Sequence, residues 1–493
     1  MDNRNYIVEK IKTVILVVLF LLTILLLYFF WKDIKFGEVH LNDFRLSARE
    51  EFYETVEVTD VIVPTHIDIC LENGTYTKIE EKTEEYWSGD EGGMLGLFKS
   101  FVSSGDEFIE EITEAQYDGV MERVSAKAVF DYYLPFRDYC ALLGVSNPAG
   151  SEMIGVISEM GFSRGSVESM FIYDAEKDKY FRIVSDVTSE SFINSIEAGA
   201  ALENTTYYPL ESFTGVDLKR EILVPAFLEK NIAVVTATAD FAGGHANIAN
   251  TLARNFFSGS FDFVRRIQEE NGRVIFVYGY GEKRLTIDPD GTVSYRSDAA
   301  SMTKVAYFDA MRLALATVAQ QGGFAPESGE EFKPFLLDSV MLPDGNGYRF
   351  EFGILAGGEK VYYHDGSAVV CEVVNGEITR FDRKYIVFDD SMTEGEMREA
   401  HSAINVIAQN YEYIYGEILE DDIKAAEDRF SYVVSLISDI SYGYIYDEEA
   451  GLLRPCYVIS LADGSVRTYF DLFTAEPLQN SNVGTMEGTD GLG

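Results

Sequence analysis

Cysteine and histidine are scarce in this sequence, and those present are isolated from one another. The chain has four cysteines and five histidines in 493 residues. No C-x-x-C, H-E-x-x-H or H-x-H spacing occurs, so no motif places two ligands on one metal. The cysteines Cys70, Cys140, Cys371 and Cys456 lie in apolar stretches, which favours buried free thiols; a Cys70–Cys140 disulfide is the alternative. The sequence therefore predicts no metal and no cofactor.

Basic residues are also few. Lys and Arg number 40 against 82 Asp and Glu, for a formal net charge of -42. Such a charge repels phosphate backbones, so we expect no nucleic-acid partner. The acidic residues are spread along the chain, as on a solvated surface. The one candidate cation site, Asp288-Pro-Asp290-Gly291, lacks the later oxygen ligands of a calcium loop and is better interpreted as a hairpin turn.

Catalytic and nucleotide-binding patterns are nearly absent. No P-loop occurs, and the glycines of Tyr278-Gly279-Tyr280-Gly281 precede a strand-like segment, whereas a dinucleotide loop precedes a helix. Residues 161–165 match the G-x-S-x-G pattern of a nucleophilic serine, with Ser163 at its centre. A nucleophile elbow requires a helix after the serine, but the residues that follow have a strand-like pattern. We therefore predict a glycine-bounded turn and no enzyme.

One long hydrophobic run stands out near the N-terminus. Residues 13–31 carry no charge and are long enough to cross the ~30 Å hydrocarbon core as a helix. Aromatic residues at its end and the lack of a small-x-small site after it favour an uncleaved anchor. Arg4, Lys10 and Lys12 precede it, which favours a cytoplasmic N-terminus. The sequence predicts a single-pass protein of the cell membrane with most of the chain outside.

One face of this predicted helix has coiled-coil spacing. Residues at this spacing can contact a partner helix; the alternative is that every face contacts lipid. The predicted contact residues are Leu16, Phe20, Thr23, Leu27 and Phe30.

The remainder of the chain predicts an α+β fold of antiparallel strands with helices to one side. Helical patterns at 245–257, 302–320 and 397–414 are each followed by strand-like runs, the first of them at 261–268, and several of these runs are joined by Asn-Gly or Asp-Gly turns. The helix of each unit is expected to cover the apolar face of its meander. Earlier in the chain, residues 60–71 predict a strand and residues 93–102 a helix.

These patterns divide the chain into seven parts. The predicted parts are a cytoplasmic leader (1–12), the transmembrane helix (13–31), an N-terminal α+β domain (38–215), two helix-plus-meander domains (216–298 and 299–390), a C-terminal domain (391–478) and a disordered tail (479–493).

Three segments carry patterns typical of one known family. Residues 255–296 contain the aromatic pair Phe256-Phe257, a Val-Arg pair, an aliphatic-x-Ile strand, an Asp-Gly turn and a closing Tyr295. Residues 376–383 read Gly-x-Ile-x-x-aromatic-x-Arg, and residues 454–464 have the pattern of a closing hairpin. In these features the chain resembles the YycH-type regulatory proteins of the WalK/WalR two-component system of Gram-positive bacteria. Its last unit is similar to YycI and to PepSY-like domains.

The resemblance implies a function without an active site. It implies a membrane-anchored accessory regulator that modulates a cell-wall-sensing histidine kinase through transmembrane and extracytoplasmic contacts. The implied partners are the kinase and a YycI-like single-pass paralogue. Two alternatives stay open: an anchored cell-surface hydrolase that uses Ser163, and a scaffold that binds the cell wall.

Overall fold

The structure, a computed structural model, describes residues 56–478. Gaps in this range fall at 81–82, 89–92, 104–107, 149, 201–204, 219, 231–234, 240–245, 299–302, 325–331, 365, 389–397, 419–427 and 462–465. The predicted leader, transmembrane helix and tail lie outside the described residues. Among the helices that are described, none is long and apolar enough to cross a membrane.

Nine strands in the first part of the chain form an antiparallel sheet, which we call the N-terminal sheet. Its strands are β1 His66–Cys70, β2 Tyr76–Ile79, β3 Phe108–Ile112, β4 Ser125–Val129, β5 Glu159–Ser163, β6 Ser169–Asp174, β7 Lys179–Val184, β8 Tyr207–Pro209 and β9 Leu223–Pro225. They lie in the order β3-β7-β6-β5-β4-β1-β2-β8-β9. The accompanying helices are α1 Val58–Val61, α2 Thr83–Ser88, α3 Met94–Ser103, α4 Glu114–Met121, α5 Phe136–Leu142, α6 Glu190–Ala200 and α7 Glu211–Thr214.

Helices cover one face of the N-terminal sheet. Phe162 of β5 packs against Phe101 of α3 and Phe192 of α6, with ring centroids 5.5 and 6.0 Å away. Ile67 and Ile69 of β1 point to the same apolar side and are completely buried. Since side chains alternate along a strand, His66 and Asp68 project from the opposite face.

Fourteen strands form the second sheet. They are β11 Val235–Ala239, β12 Arg265–Gln268, β13 Val274–Tyr278, β14 Lys283–Ile287, β15 Thr292–Ser297, β16 Phe332–Met341, β17 Gly347–Ala356, β18 Glu359–Tyr362, β19 Val369–Val374, β20 Glu377–Lys384, β21 Ile386–Phe388, β23 Ile437–Asp447, β24 Leu452–Leu461 and β25 Val466–Asp471; β10 Glu229–Lys230 and β22 Arg398–Glu399 pair separately. The helices of this part are α8 Ala246–Phe257, α9 Tyr307–Gln320, α10 Ala403–Ile418 and α11 Arg429–Leu436.

The second sheet is antiparallel at every described pairing except β18 with β23. At that parallel pair the strands approach closely at Gly443, where a Cβ atom would clash with the Lys360 carbonyl oxygen. Glycine is therefore required there, because any side chain would push the two strands apart.

The helices of the second part pack on the apolar face of their own meanders, as predicted. Phe256 of α8 stacks on Tyr295 of β15 with centroids 4.3 Å apart. Tyr307 of α9 packs against Phe350 of β17 at 5.4 Å. The α+β class and the antiparallel arrangement are thus confirmed. The proposed domain boundaries stay predictions; strands from all three of the later units lie in the one second sheet.

Two segments differ from the strands that the sequence predicts. The strand expected at 60–71 begins only at His66, because a capping box between Glu57 and Asp60 starts the short helix α1 and Pro64 then interrupts regular pairing. The strand expected at 261–268 begins only at Arg265. A 3₁₀ helix, Ser258–Phe263, precedes it and places Phe261 against the apolar face of the meander.

Candidate functional site

The polar face of the N-terminal sheet carries a row of opposite charges across three strands. Asp68 on β1 lies opposite Lys78 on β2 and opposite Lys127 on β4. Cross-strand partners project to the same face, so these side chains meet. The Lys127 Nζ lies 3.5 Å from Asp68 Oδ2, and His66 Nε2 lies 3.6 Å from Asp68 Oδ1. All of these groups are mostly buried.

Lys78 connects this row to the second sheet. Its Nζ donates hydrogen bonds to Asp439 Oδ1 at 3.0 Å and to the Ile440 carbonyl at 3.1 Å, both on β23. The same Nζ lies 3.1 Å from Glu80 Oε1, and the Lys78 side chain is only 3% exposed. One ammonium group therefore contacts two carboxylates and a carbonyl at the boundary between the sheets.

Glu159 on β5 extends the charged row in the other direction. It accepts a hydrogen bond from the Tyr117 hydroxyl at 2.8 Å and one from Arg220 Nη2 at 3.3 Å. Lys127 Nζ lies 3.7 Å from Glu159 Oε2, the oxygen that accepts the hydrogen bond from Tyr117. Burial alone would raise the pKa of Glu159, but the charges of Lys127 and Arg220 outweigh it and the pKa is lowered.

We call this set the junction cluster; its members are His66, Asp68, Lys78, Glu80, Lys127, Glu159, Arg220 and Asp439. Several of them line a cavity of about 20 Å³, enough for roughly one water molecule. The cluster lies where the polar face of the N-terminal sheet meets the start of β23.

The charges of the junction cluster are mutually stabilised. Burial opposes ionisation of Asp68, but His66, Lys127 and Lys78 hold its pKa well below the usual value. Burial likewise opposes ionisation of Asp439, and Lys78 is the main charge that lowers its pKa. Burial lowers the pKa of Lys78, yet Asp439 and Glu80 outweigh it and raise that pKa well above the usual value. Asp68, Asp439 and Lys78 therefore keep their charges through neutral pH, so they suit a structural connection better than proton transfer.

Two further polar contacts join the sheets beside the cluster. Lys360 Nζ, on β18, donates to the Thr65 carbonyl at 3.0 Å, and burial lowers the pKa of this lysine. The Tyr133 carbonyl accepts hydrogen bonds from the Tyr307 hydroxyl at 2.7 Å and from Ser339 Oγ at 2.8 Å. The N-terminal and second sheets are therefore held together by buried, geometrically specific contacts as well as by apolar packing.

Ser163 does not resemble an exposed nucleophile. It ends β5, the strand that also contains Gly161 and Phe162. The turn that the sequence predicts at 161–165 therefore forms only from Arg164 to Ser166, before β6. Its side chain is completely buried, and Oγ donates to the Val120 carbonyl at 2.8 Å. The hydroxyl is thus occupied by a backbone acceptor.

The cysteines are also structural. All four are buried thiols, as expected, and the alternative Cys70–Cys140 disulfide is not formed. Burial raises the pKa of Cys70 to about 11, which keeps the thiol protonated at neutral pH. Asp288 and Asp290 lie at the β14–β15 turn, where Asp290 Oδ1 accepts from the Thr292 amide at 2.9 Å. That predicted hairpin turn is confirmed.

The junction cluster was not anticipated from the sequence, although a signal for it exists. Charged or polar residues alternate with apolar ones in His66-Ile-Asp68-Ile-Cys70 and in Ser125-Ala-Lys127-Ala-Val129. Alternation of this kind predicts one polar sheet face. The predicted transmembrane contact residues lie outside the described residues, so the structure brings none of them to this site.

The chain has the fold of a known protein. It matches the crystal structure of YycH from Bacillus subtilis with a TM-score of 0.56 and 13% sequence identity, over 84% of this chain and 97% of that one. No protein-family model and no curated protein matches the sequence. The resemblance to YycH-type proteins is therefore confirmed at the level of the fold, and the YycI-like character of the last unit stays a prediction.

Proposed function

We propose that this protein is a membrane-anchored accessory regulator of a cell-wall-sensing histidine kinase of the WalK type. The observation that carries the proposal is the YycH fold, which extends over 97% of the YycH chain. A second support is the buried environment of Ser163, which leaves the hydrolase alternative without an accessible hydroxyl at that position.

The proposal places the chain in the membrane through residues 13–31, with the N-terminus in the cytoplasm. The heptad spacing of Leu16, Phe20, Thr23, Leu27 and Phe30 makes this face the proposed contact with the kinase or with a YycI-like paralogue. Regulation then requires only that the protein bind one kinase state better than the other, since differential affinity is what shifts a two-state equilibrium.

The junction cluster suits this role. A regulator that biases a partner must present its contact surfaces in a fixed relation. Lys78 and its partners Asp439 and Glu80 oppose relative motion of the two sheets, because separating them would expose or orphan buried charges. The extracytoplasmic body then acts as one unit.

The test is co-purification of the full-length protein from membranes of its own cells, with the bound kinase identified by mass spectrometry. A Phe20→Ala/Leu27→Ala variant removes bulk from the predicted contact face. A Leu25→Ala/Phe29→Ala variant removes the same bulk, one leucine and one phenylalanine side chain, from the opposite face and serves as the matched control. We expect recovery of a histidine kinase with the wild type and the control, and reduced recovery with the first variant.

Two results would contradict the proposal in different ways. Failure to recover any histidine kinase with the wild type, under conditions that preserve other membrane complexes, would refute the regulator function. Equal loss of kinase in both double variants would refute only the choice of helix face. Binding of the purified protein to isolated peptidoglycan, with no kinase, would favour the scaffold alternative.

A further inference from the structure

Strand β12, Arg265–Gln268, ends the second sheet and has no described strand on its outer side. It pairs with β13 on the inner side only, and all four of its residues are exposed. An edge strand of this kind offers backbone groups to another chain. Phe263, just before it, is 79% exposed, so an apolar side chain lies beside the edge.

The alternation of hydrogen-bonded pairs between β12 and β13 identifies which backbone groups of β12 point outward. The Glu269 amide donates to the Arg273 carbonyl at 2.9 Å, which makes these residues a hydrogen-bonded pair at the hairpin end. Hydrogen-bonded and non-hydrogen-bonded pairs alternate along an antiparallel ladder. The amides and carbonyls of Ile267 and Arg265 therefore face β13, and those of Arg266 and Gln268 face outward.

Arginines surround this edge in an otherwise acidic protein. Arg265 aligns through Val277 with Arg284, and Arg284 aligns with Arg296, so one sheet face carries a row of arginines. Arg266 projects from the other face, with its guanidinium 5.9 Å from the Phe276 ring centre.

The arginines of the row differ in whether they are neutralised. Arg296 forms a two-pronged pair with Asp382 at 2.6 and 2.9 Å. Arg265 and Arg284 form no ion pair with any residue that the structure describes, and both are exposed. The edge thus presents unneutralised positive charge on a chain of net charge -42.

We propose that β12 is a docking edge for an extended acidic peptide segment of a partner protein, which adds to the second sheet as a further antiparallel or parallel strand. The outward amides and carbonyls of Arg266 and Gln268 would bind its backbone. Arg265 and Arg284 would attract its carboxylates, so acidic side chains are favoured on the face of the added strand that lies beside these two arginines. This inference does not depend on the identity of the kinase.

The probe is the fluorescent peptide Glu-Val-Glu-Val-Glu-Val-Glu, titrated with the full-length protein in detergent micelles and followed by anisotropy. Arg265→Glu/Arg284→Glu reverses the edge charge. Lys304→Glu/Arg312→Glu makes the same charge change at and near α9, where both side chains are exposed, and is the matched control. We expect at least tenfold weaker binding for the edge variant and less than twofold change for the control.

Backbone pairing is tested on the peptide, so folding of the protein is unaffected. One peptide is N-methylated at its even-numbered residues, and a second peptide is N-methylated at its odd-numbered residues. Only every second amide of an added strand donates a hydrogen bond to β12, because the other amides point away from it. One N-methylated peptide should therefore lose at least tenfold in affinity, and the other should bind as before.

Three outcomes overturn the proposal. If the peptide does not bind, or binds the edge variant as tightly as the wild type, the arginines only protect the edge from aggregation. If both N-methylated peptides bind equally, no strand is added. If inorganic polyphosphate displaces the peptide and binds more tightly, with no effect of N-methylation, the surface is a general polyanion site.

Discussion

Replacement of Lys78 by methionine should lower the free energy of unfolding by about 3–5 kcal/mol, the usual cost of breaking a buried ion pair from one side. Methionine fills similar volume, so the loss comes from charge and hydrogen bonding. The variant leaves Asp439 and Glu80 without their shared cation and the Ile440 carbonyl without its donor. Lys78 is 3% exposed, and the cavity beside it has room for only about one water molecule, so water replaces the ammonium only in part.

The measurement is urea denaturation of the full-length protein in detergent, followed by tryptophan fluorescence with Trp31→Phe present in every variant, so that the signal comes from Trp87. This side chain is 2% exposed and packs edge-on against Phe130 at 5.4 Å, so it reports on the N-terminal sheet. Lys179→Met is the matched control. Lys179 pairs with Glu111 at 2.7 Å, but both side chains are more than 40% exposed, so this pair should contribute about 0–1 kcal/mol.

A double variant separates the loss of a useful charge from the orphaning of its partner. Lys78→Met/Asp439→Leu removes the lysine together with the carboxylate on β23, so it should lose less stability than Lys78→Met alone. A loss below about 1 kcal/mol for Lys78→Met, equal to that of the exposed control, would refute the claim that the junction cluster holds the sheets together.

Two further predictions concern the carboxylates of the junction cluster and the hydroxyl of Ser163. The pKa values of Asp68, Asp439 and Glu159 are lower in the folded protein than their ordinary values. Their ionised forms therefore add stability above about pH 4, and this stability is lost as the pH falls below that value. A urea midpoint at pH 3 that equals the midpoint at pH 7 would contradict this prediction. Ser163→Ala should lower the free energy of unfolding by about 1 kcal/mol, since the Val120 carbonyl loses a buried donor. The folded wild-type protein should not react with a fluorophosphonate serine probe, because the Ser163 hydroxyl is buried. Labelling of the folded wild type that is absent in Ser163→Ala would instead support the hydrolase alternative.

Elements with strong local signals were predicted well. Helix α8 begins one residue after the position expected, and the β14–β15 hairpin forms at the Asp290-Gly291 turn. Gly291 has a φ of +86°, which glycine adopts without strain. These features depend on residues close together in the chain, so the sequence pattern carries the necessary information.

The mispredicted strands had weaker or competing local signals. The apolar run after Asp60 has strand-like composition, yet the Glu57–Asp60 capping box initiates a helical turn. Phe261 was assigned to a strand for its composition. In the fold it lies in a 3₁₀ turn with its ring 6.5 Å from that of Phe276. Tertiary packing there outweighs intrinsic preference.

The sequence by itself determined the α+β class, the helix-plus-meander units and the buried state of the cysteines, because these follow from periodicity, turn chemistry and apolar context over short stretches. Only the tertiary structure decided that strands of three units join one sheet and that Lys78 meets Asp439, which is 361 residues away in the chain. The energy of a buried charge depends on which distant group neutralises it, and no local pattern encodes that partner. The same holds for β12, whose arginines become one surface only when β13, β14 and β15 align them.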